Sequence, residues 1–141
     1  MDLEKYLAQF PNSNTNLNKF IQKDSLNLQC TYVPPIAILH KQQQKIDFSD
    51  VMNLLQNYQN YNTREFRQSH IDFDEKTFYV TIHDEKKSIL KDGDDNAIII
   101  INSQNIITVG IVDQFSKCKK QFLQTLYLFD KLKNDNYKQL F

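Results

Sequence analysis

Glycine is nearly absent from this sequence, with Gly93 and Gly110 the only two in 141 residues. Phosphate-binding loops need several closely spaced glycines, so the P-loop and the dinucleotide-binding loop are both excluded. Two cysteines, Cys30 and Cys118, are too few for a disulfide framework or a four-ligand zinc site. No apolar run approaches the ~20 residues of a membrane span, and the first residues lack the pattern of a secretory signal. We therefore expect an intracellular, cytoplasmic protein with no membrane span.

Neither sign of charge is in excess, because 17 Lys and Arg residues balance 17 Asp and Glu residues. A general nucleic-acid-binding protein would show a strong basic excess, so we expect no nucleic-acid partner. The charges are nevertheless unevenly distributed. Residues 72–95 contain eight acidic residues and four lysines, whereas residues 115–141 contain six lysines and two acidic residues. The sequence therefore predicts a dipolar molecule with a basic C-terminal helix.

The spacing of apolar residues predicts a single α+β domain over residues 1–141. Ala97–Ile101 is continuously apolar, which is typical of a central strand that is covered on both faces, and residues 106–112 should return as its antiparallel partner. Phe78, Val80 and Ile82 alternate with polar residues and should share one face of their strand. The expected order is a helix at 3–10, strands at 26–32 and 36–39, a helix at 51–58, a short helix near 63–66, about five strands between 71 and 112, and a helix from about 115 to 132.

These elements predict a central antiparallel sheet of about six to seven strands. Strands that are buried on both faces require helices on both sides of the sheet. We expect the terminal helices on one face and the middle helices on the other. A short polar extension should follow the last helix from about residue 134.

Several segments carry a resemblance to the profilin family. Met1–Leu7 is similar to the profilin opening, with Tyr6 at a matching position and Leu3 in place of a tryptophan. The segment around Phe48–Leu55 resembles the second-helix region, and Ile71–Val80 resembles a strand–turn–strand of the family. Lys117-Cys118 matches the start of the C-terminal profilin helix. The likeness is nearest to the divergent fourth type of profilin, and it implies a profilin-like fold. Roadblock and longin domains also flank a sheet with helices, but their five-stranded sheets fit the long series of strands less well.

The resemblance implies a surface for proline-rich peptides between the two terminal helices. The corresponding positions here are Leu3, Tyr6, Leu123 and Phe129. Grooves between aromatic side chains hold the rings of a polyproline II helix. This chain has no tryptophan, and the alternative is that Tyr6 and Phe129 simply pack the helices onto the sheet.

The resemblance also implies an actin-binding surface, formed by the short third helix, the strands that follow it and the start of the last helix. The candidate residues are Arg64, Arg67, Lys117, Lys119 and Lys120. The lysines of the last helix could also meet phosphoinositide head groups. Arg67 and Gln68 replace apolar residues at this surface, which favours a weaker contact with actin.

No catalytic constellation is present, so we expect a protein that is not an enzyme and that has no cofactor and no metal ligands. His83-Asp84-Glu85 falls in an expected turn, and Cys118 in an expected core position. The leading hypothesis is a profilin-like cytoskeletal protein that binds actin monomers and regulates actin dynamics, with weak phosphoinositide or proline-rich peptide binding. The alternative is a profilin-fold subunit of a large cytoskeletal or ciliary assembly, for example an axonemal one, that no longer binds actin.

Overall fold

A computed structural model describes residues 28–33, 36–41, 44–60, 66, 69–103 and 107–140, with side-chain detail outside 30–33, 60 and 132–140. The helix predicted at 3–10 and most of the short helix near 63–66 lie outside these residues. No helix in the described part of the chain is long and apolar enough to cross a membrane. The elements are β1 (Leu28–Val33), β2 (Ile36–Lys41), α1 (Phe48–Asn60), β3 (His70–Phe73), β4 (Lys76–His83), β5 (Lys87–Lys91), β6 (Ala97–Asn102), β7 (Ile107–Val112) and α2 (Phe115–Leu140).

The described strands form one seven-stranded sheet in the order β1-β2-β7-β6-β5-β4-β3. Strands β6 and β7 pair antiparallel, as the sequence predicts. The prediction of a wholly antiparallel sheet is wrong at one place, because β2 runs parallel to β7, with Ile36 opposite Ile107. These two strands are far apart in the sequence, so no tight turn fixes their relative direction. The sheet is therefore mixed, within an α+β fold.

Helices cover the sheet on both faces, as its apolar central strands require. Helix α2 packs on one face and α1 on the other, and the residues of β6 alternate between the two resulting cores. The buried residues of the α2-side core are Leu28, Ala37, Leu39, Ile89, Ala97, Ile99, Ile101, Val112, Phe115, Phe122, Leu126 and Phe129. Those of the α1-side core are Ile36, Ile38, Val51, Leu54, Leu55, Phe66, Ile71, Phe73, Phe78, Leu90, Ile98, Ile100, Val109 and Ile111.

Helix α2 lies unusually close to β7 because β7 carries a glycine at the contact. A Cβ atom at Gly110 would come within 2.8–2.9 Å of the side chains of Phe122 and Leu126. Contacts between carbon atoms are optimal at about 3.5–4.0 Å, so a larger residue would force these two side chains or the helix itself to shift. Gly110 therefore sets the distance between α2 and the sheet.

Helix α1 is fixed at its N-terminus and along its length. Asp47 caps it, since Asp47 Oδ1 accepts hydrogen bonds from the Ser49 backbone N–H (2.9 Å) and hydroxyl (2.8 Å). These hydrogen bonds lower the pKa of the Asp47 carboxyl. Further along, Asp50 Oδ2 accepts from the Asp74 N–H at 3.0 Å. Helix α1 is thereby joined to the β3–β4 turn.

Helix α2 is longer than the sequence predicts. Its backbone continues through Leu140, so the polar segment expected from residue 134 is part of the helix. Among the residues of the helix whose side chains the structure describes, Phe129 is the last that belongs to the α2-side core. At 1.5 Å per residue, the helix extends about 16 Å past Phe129.

Candidate protein-binding surface

The α2-side face of strands β3 and β4 is exposed. Toward the β3 edge of the sheet, β5 is the last strand that contributes to the α2-side core, through Ile89. Beyond it lie exposed side chains on this same face, and we call this set the open face: His70, Asp72, Tyr79, Thr81 and Ile82. Tyr79 is 59% exposed and Ile82 is 44% exposed. Large exposed apolar side chains on one contiguous surface are a common mark of an interaction site.

The aromatic part of the open face is formed by two neighbouring strands. His70 lies directly opposite Tyr79 in the β3–β4 pairing, and their ring centroids are 6.0 Å apart. On the other side, Tyr79 lies opposite Lys91 of β5. The three side chains therefore form a row across the strands, with the tyrosine in the centre.

A β-bulge places Ile82 on the open face. The β4–β5 register shifts between Val80, which pairs with Leu90, and Ile82, which pairs with Ile89. Val80 packs against the α1-side core, whereas Ile82 follows Ile89 to the opposite face. The prediction that Phe78, Val80 and Ile82 share one face is therefore wrong for Ile82. The extra residue of a bulge reverses the alternation that a regular strand would keep.

The open face continues into a basic flank at the start of α2. The ammonium groups of Lys91 and Lys119 lie 5.4 and 6.0 Å from the centroid of the buried Phe115 ring. Cations over an aromatic face within about 6 Å are held by attraction to the ring. Because Lys91 also neighbours Tyr79, the two lysines connect α2 to the aromatic row. We call Lys91 and Lys119 the basic flank.

The N-terminus of α2 is capped by a residue from another loop. The Asp95 carboxylate accepts hydrogen bonds from the Ser116 hydroxyl at 2.5 Å and from the Ser116 N–H at 3.2 Å. The Asp95 carbonyl accepts a third from the Phe115 N–H at 2.9 Å. A carboxylate at the N-terminus of a helix interacts favourably with the helix dipole, whereas the nearby lysines interact unfavourably with it. The loop between β5 and β6 thus holds the lysine-rich first turn in place.

Of the predicted actin-binding residues, the structure describes the three lysines. All three are exposed, but only Lys119 contacts Phe115. Lys117 and Lys120 each lie two residues from a buried phenylalanine of α2, about half a helical turn away, and so point to the outer side of the helix. Arg64 and Arg67 lie outside the described residues. The sequence did not single out Lys91, Tyr79 or Ile82 for this surface, because their proximity to α2 depends on strand pairing.

The predicted proline-rich peptide surface is described at two of its four positions. Phe129 is completely buried in the α2-side core, and Leu123 is partly buried against that core. Both residues therefore pack α2 onto the sheet in the described structure, which corresponds to the alternative interpretation given above. Leu3 and Tyr6 lie outside the described residues.

The titratable residues that the sequence singled out make contacts that stabilise the fold. His83 ends β4, with its Nδ1 2.6 Å from the buried Ser88 hydroxyl and its ring 4.8 Å from that of Phe66. Asp84 accepts from the N–H groups of Lys87 and Lys86, which lowers the pKa of its carboxyl and organises the turn. Partial burial raises the pKa of the Cys118 thiol. Within the described residues, no group of three or more His, Cys, Asp or Glu side chains is placed to hold a metal ion.

Comparison with known proteins gave no match: no family model, no curated protein and no solved structure is significantly similar to this chain.

Proposed function

We propose that this protein is a non-enzymatic, profilin-like cytoskeletal protein that binds actin monomers through the open face and the basic flank. The observation that carries the proposal is the continuity of these two surfaces. Tyr79 lies between His70 and Lys91, and the ammonium groups of Lys91 and Lys119 both lie near the Phe115 ring. The choice of actin comes from the resemblance of the sequence to profilins.

The composition of this surface suits a protein partner. Binding energy at protein interfaces is concentrated in a few central aromatic and apolar residues, while charged residues at the rim mainly affect orientation and association rate. Tyr79 and Ile82 are placed to act as the centre, and Lys91 and Lys119 as one rim. Because the side chains project from paired strands, the surface is formed before a partner arrives.

The proposal is tested by measuring the affinity of the full chain for monomeric actin by sedimentation velocity or calorimetry. Tyr79→Ser and Ile82→Ser should each weaken binding by about fivefold or more, since loss of a central contact costs at least ~1 kcal/mol. Lys119→Glu should slow association, most strongly at low salt.

Matched controls lie on the opposite layer of the molecule. Phe48→Ser removes an exposed aromatic ring at the start of α1, and Lys45→Glu reverses an exposed charge nearby. Both variants should bind actin like the unmodified chain. Absence of binding by the unmodified chain, or equal losses in Phe48→Ser and Tyr79→Ser, would contradict the proposal.

A second candidate is a subunit of a large cytoskeletal or ciliary assembly that has lost actin binding. The length of α2 favours it, because the helix continues about 16 Å past Phe129, which lies in the α2-side core. Stoichiometric co-purification with a large complex, without an effect on actin polymerisation, would support this candidate. Truncation after Lys131 should then release the protein from the complex while the actin assay stays unchanged.

Phosphoinositide binding is proposed as a secondary activity. Proline-rich peptide binding follows from the resemblance alone, because Leu123 and Phe129 pack against the α2-side core. Lys117, Lys119 and Lys120 are exposed together in the first turns of α2, where each could add on the order of 1 kcal/mol at an anionic membrane. Vesicle co-sedimentation with the Lys117→Glu variant tests the lipid interaction, and titration with a proline-rich peptide tests the other.

A further inference from the structure

A cleft of about 300 Å³ opens at one end of the sheet. The parallel strands β2 and β7 both end there, at Lys41 and Val112, and the β3–β4 hairpin forms the facing wall. Ligand sites commonly span about 300–1,000 Å³, so this cleft is suited to a small metabolite. It includes no residue of the open face or of the basic flank.

The floor of the cleft is apolar. It is formed by the edges of Phe73, Phe78, Ile111 and Val112, which otherwise belong to the two cores. A ligand resting there would need an apolar body, because a polar one would lose hydrogen bonds to water without replacement.

The rim carries both signs of charge on each of two facing walls. On the wall formed by the strand ends, Lys41 Nζ lies 2.6 Å from Asp113 Oδ1. On the hairpin wall, Lys76 Nζ lies 3.7 Å from Asp74 Oδ2. The four side chains retain 40–50% of their exposure. A simple anion near either lysine would also meet an aspartate, and a simple cation near either aspartate would also meet a lysine.

The hairpin wall is the more open of the two to a ligand. A separation of 3.7 Å is too long for a hydrogen bond, so Asp74 and Lys76 are only loosely paired. The turn itself is held in place, because Asp50 accepts from the Asp74 N–H at 3.0 Å and Thr77 donates to Asp72 at 2.9 Å. A wall that is ordered in advance adds little entropy cost to binding.

From this arrangement we infer that the cleft binds a small zwitterion with an apolar body, of the chemical class of free amino acids with large side chains. The ligand carboxylate pairs with Lys76 and its ammonium with Asp74, while the side chain lies on the apolar floor. Gln44 and Asn96 also line the cleft. The inference is independent of actin binding, because it concerns a different part of the molecule.

The test is a titration of the ¹⁵N-labelled full chain with L-phenylalanine, followed by amide chemical shifts. We expect saturable shifts at Gln44, Asp74, Asn96 and Asp113. N-acetyl-L-phenylalanine, L-phenylalaninamide and glycine, which lack the ammonium, the carboxylate and the apolar body, should each bind about tenfold more weakly. The inference would be overturned if N-acetyl-L-phenylalanine or L-phenylalaninamide bound as tightly as L-phenylalanine. It would also be overturned if the shifts lay outside the cleft, or if no large apolar amino acid gave saturable shifts.

Variants of the hairpin wall sharpen the test. Lys76→Gln and Asp74→Asn should each weaken L-phenylalanine binding about tenfold, because each removes one charged partner. Lys86→Gln and Asp94→Asn are the controls, since both residues are exposed in other turns. The inference would be overturned if the control variants lost as much affinity for L-phenylalanine as the hairpin variants do. If a variant fails to fold, the comparison of ligand analogues on the unmodified chain still tests the inference.

Discussion

The centre of the sheet and its β3–β4 end differ in how many of their faces are covered. In β6, Ala97–Ile101 is buried on both sides, between α1 and α2. In β3 and β4, Ile71, Phe73 and Phe78 are buried against the α1 side, while the opposite face carries the exposed Tyr79 and Ile82. The same sheet thus provides a two-sided core in its centre and a one-sided surface at its end.

This difference follows from the reach of α2. The core that contains its buried residues includes residues of β1, β2, β7, β6 and β5, and Gly110 lies at the close contact with β7. Farther along the sheet no residue of β3 or β4 joins the α2-side core. An exposed sheet face is therefore a direct result of where one helix packs, and it is available to a partner without any change in the fold.

The largest expected effect is a difference in stability between two isoleucine variants, one in the two-sided centre of the sheet and one on the open face. Ile99→Ala should lower the free energy of unfolding by about 2–5 kcal/mol, because it leaves a cavity in the two-sided centre. Ile82→Ala should cost less than about 1 kcal/mol, because its side chain is 44% exposed. Urea unfolding of both variants measures the difference, and similar losses would contradict the assignment of Ile82 to the open face.

The next effect concerns the contact between α2 and β7. Gly110→Ala should lower the free energy of unfolding by about 1–3 kcal/mol, since the added methyl group would overlap Phe122 and Leu126. Gly93→Ala is the control, because a Cβ atom there would have no neighbour within 4 Å. Thermal unfolding compares the two, and a tolerated Gly110→Ala would mean that α2 lies farther from the sheet.

A smaller effect is expected at the loop that caps α2. Asp95→Gly should cost on the order of a few tenths of a kcal/mol, the usual value when glycine replaces a capping side chain. Glycine is chosen because Asp95 has a φ of 63°, which glycine adopts without strain. Asp94→Gly is the matched control in the same exposed turn. If both variants lose equal stability in urea, the hydrogen bonds to Ser116 contribute nothing.

The smallest expected effect is a pH dependence of the free energy of unfolding that arises from a buried histidine. His40 is only 1% exposed, and burial lowers its pKa below the ordinary value of 6.5. Below pH 6.5 the unfolded chain therefore binds a proton that the native state does not, and the free energy of unfolding falls until the pH reaches the native pKa. Between pH 7.5 and 5.5, the free energy of unfolding should change less steeply with pH in His40→Gln than in the unmodified chain. An unchanged slope in His40→Gln would contradict the prediction.

Local features could be predicted from the sequence because they depend on neighbouring residues. The antiparallel pairing of the neighbouring strands β6 and β7 is confirmed. The continuous apolar run of β6 also indicated correctly that both of its faces are covered.

The remaining features depend on pairing between distant residues. Nothing near β2 or β7 in the sequence indicates that they run parallel, and the bulge at Val80/Ile82 has no glycine or proline to mark it. As a result, the alternating pattern predicted the wrong face for Ile82. The open face and the basic flank were missed for the same reason, since they are formed by β3, β4, β5 and α2 together.

The parallel pairing of β2 with β7 has a consequence for protein synthesis. The partners of Ile36–Leu39 are Ile107–Gly110, which a ribosome would add roughly 70 residues later. At 5–20 residues per second, the nascent β1–β2 hairpin waits roughly 3–14 seconds with an aliphatic edge strand unprotected. Chaperone engagement should therefore be strongest during this interval, when the hairpin has emerged and its neighbour in the finished sheet has yet to be translated.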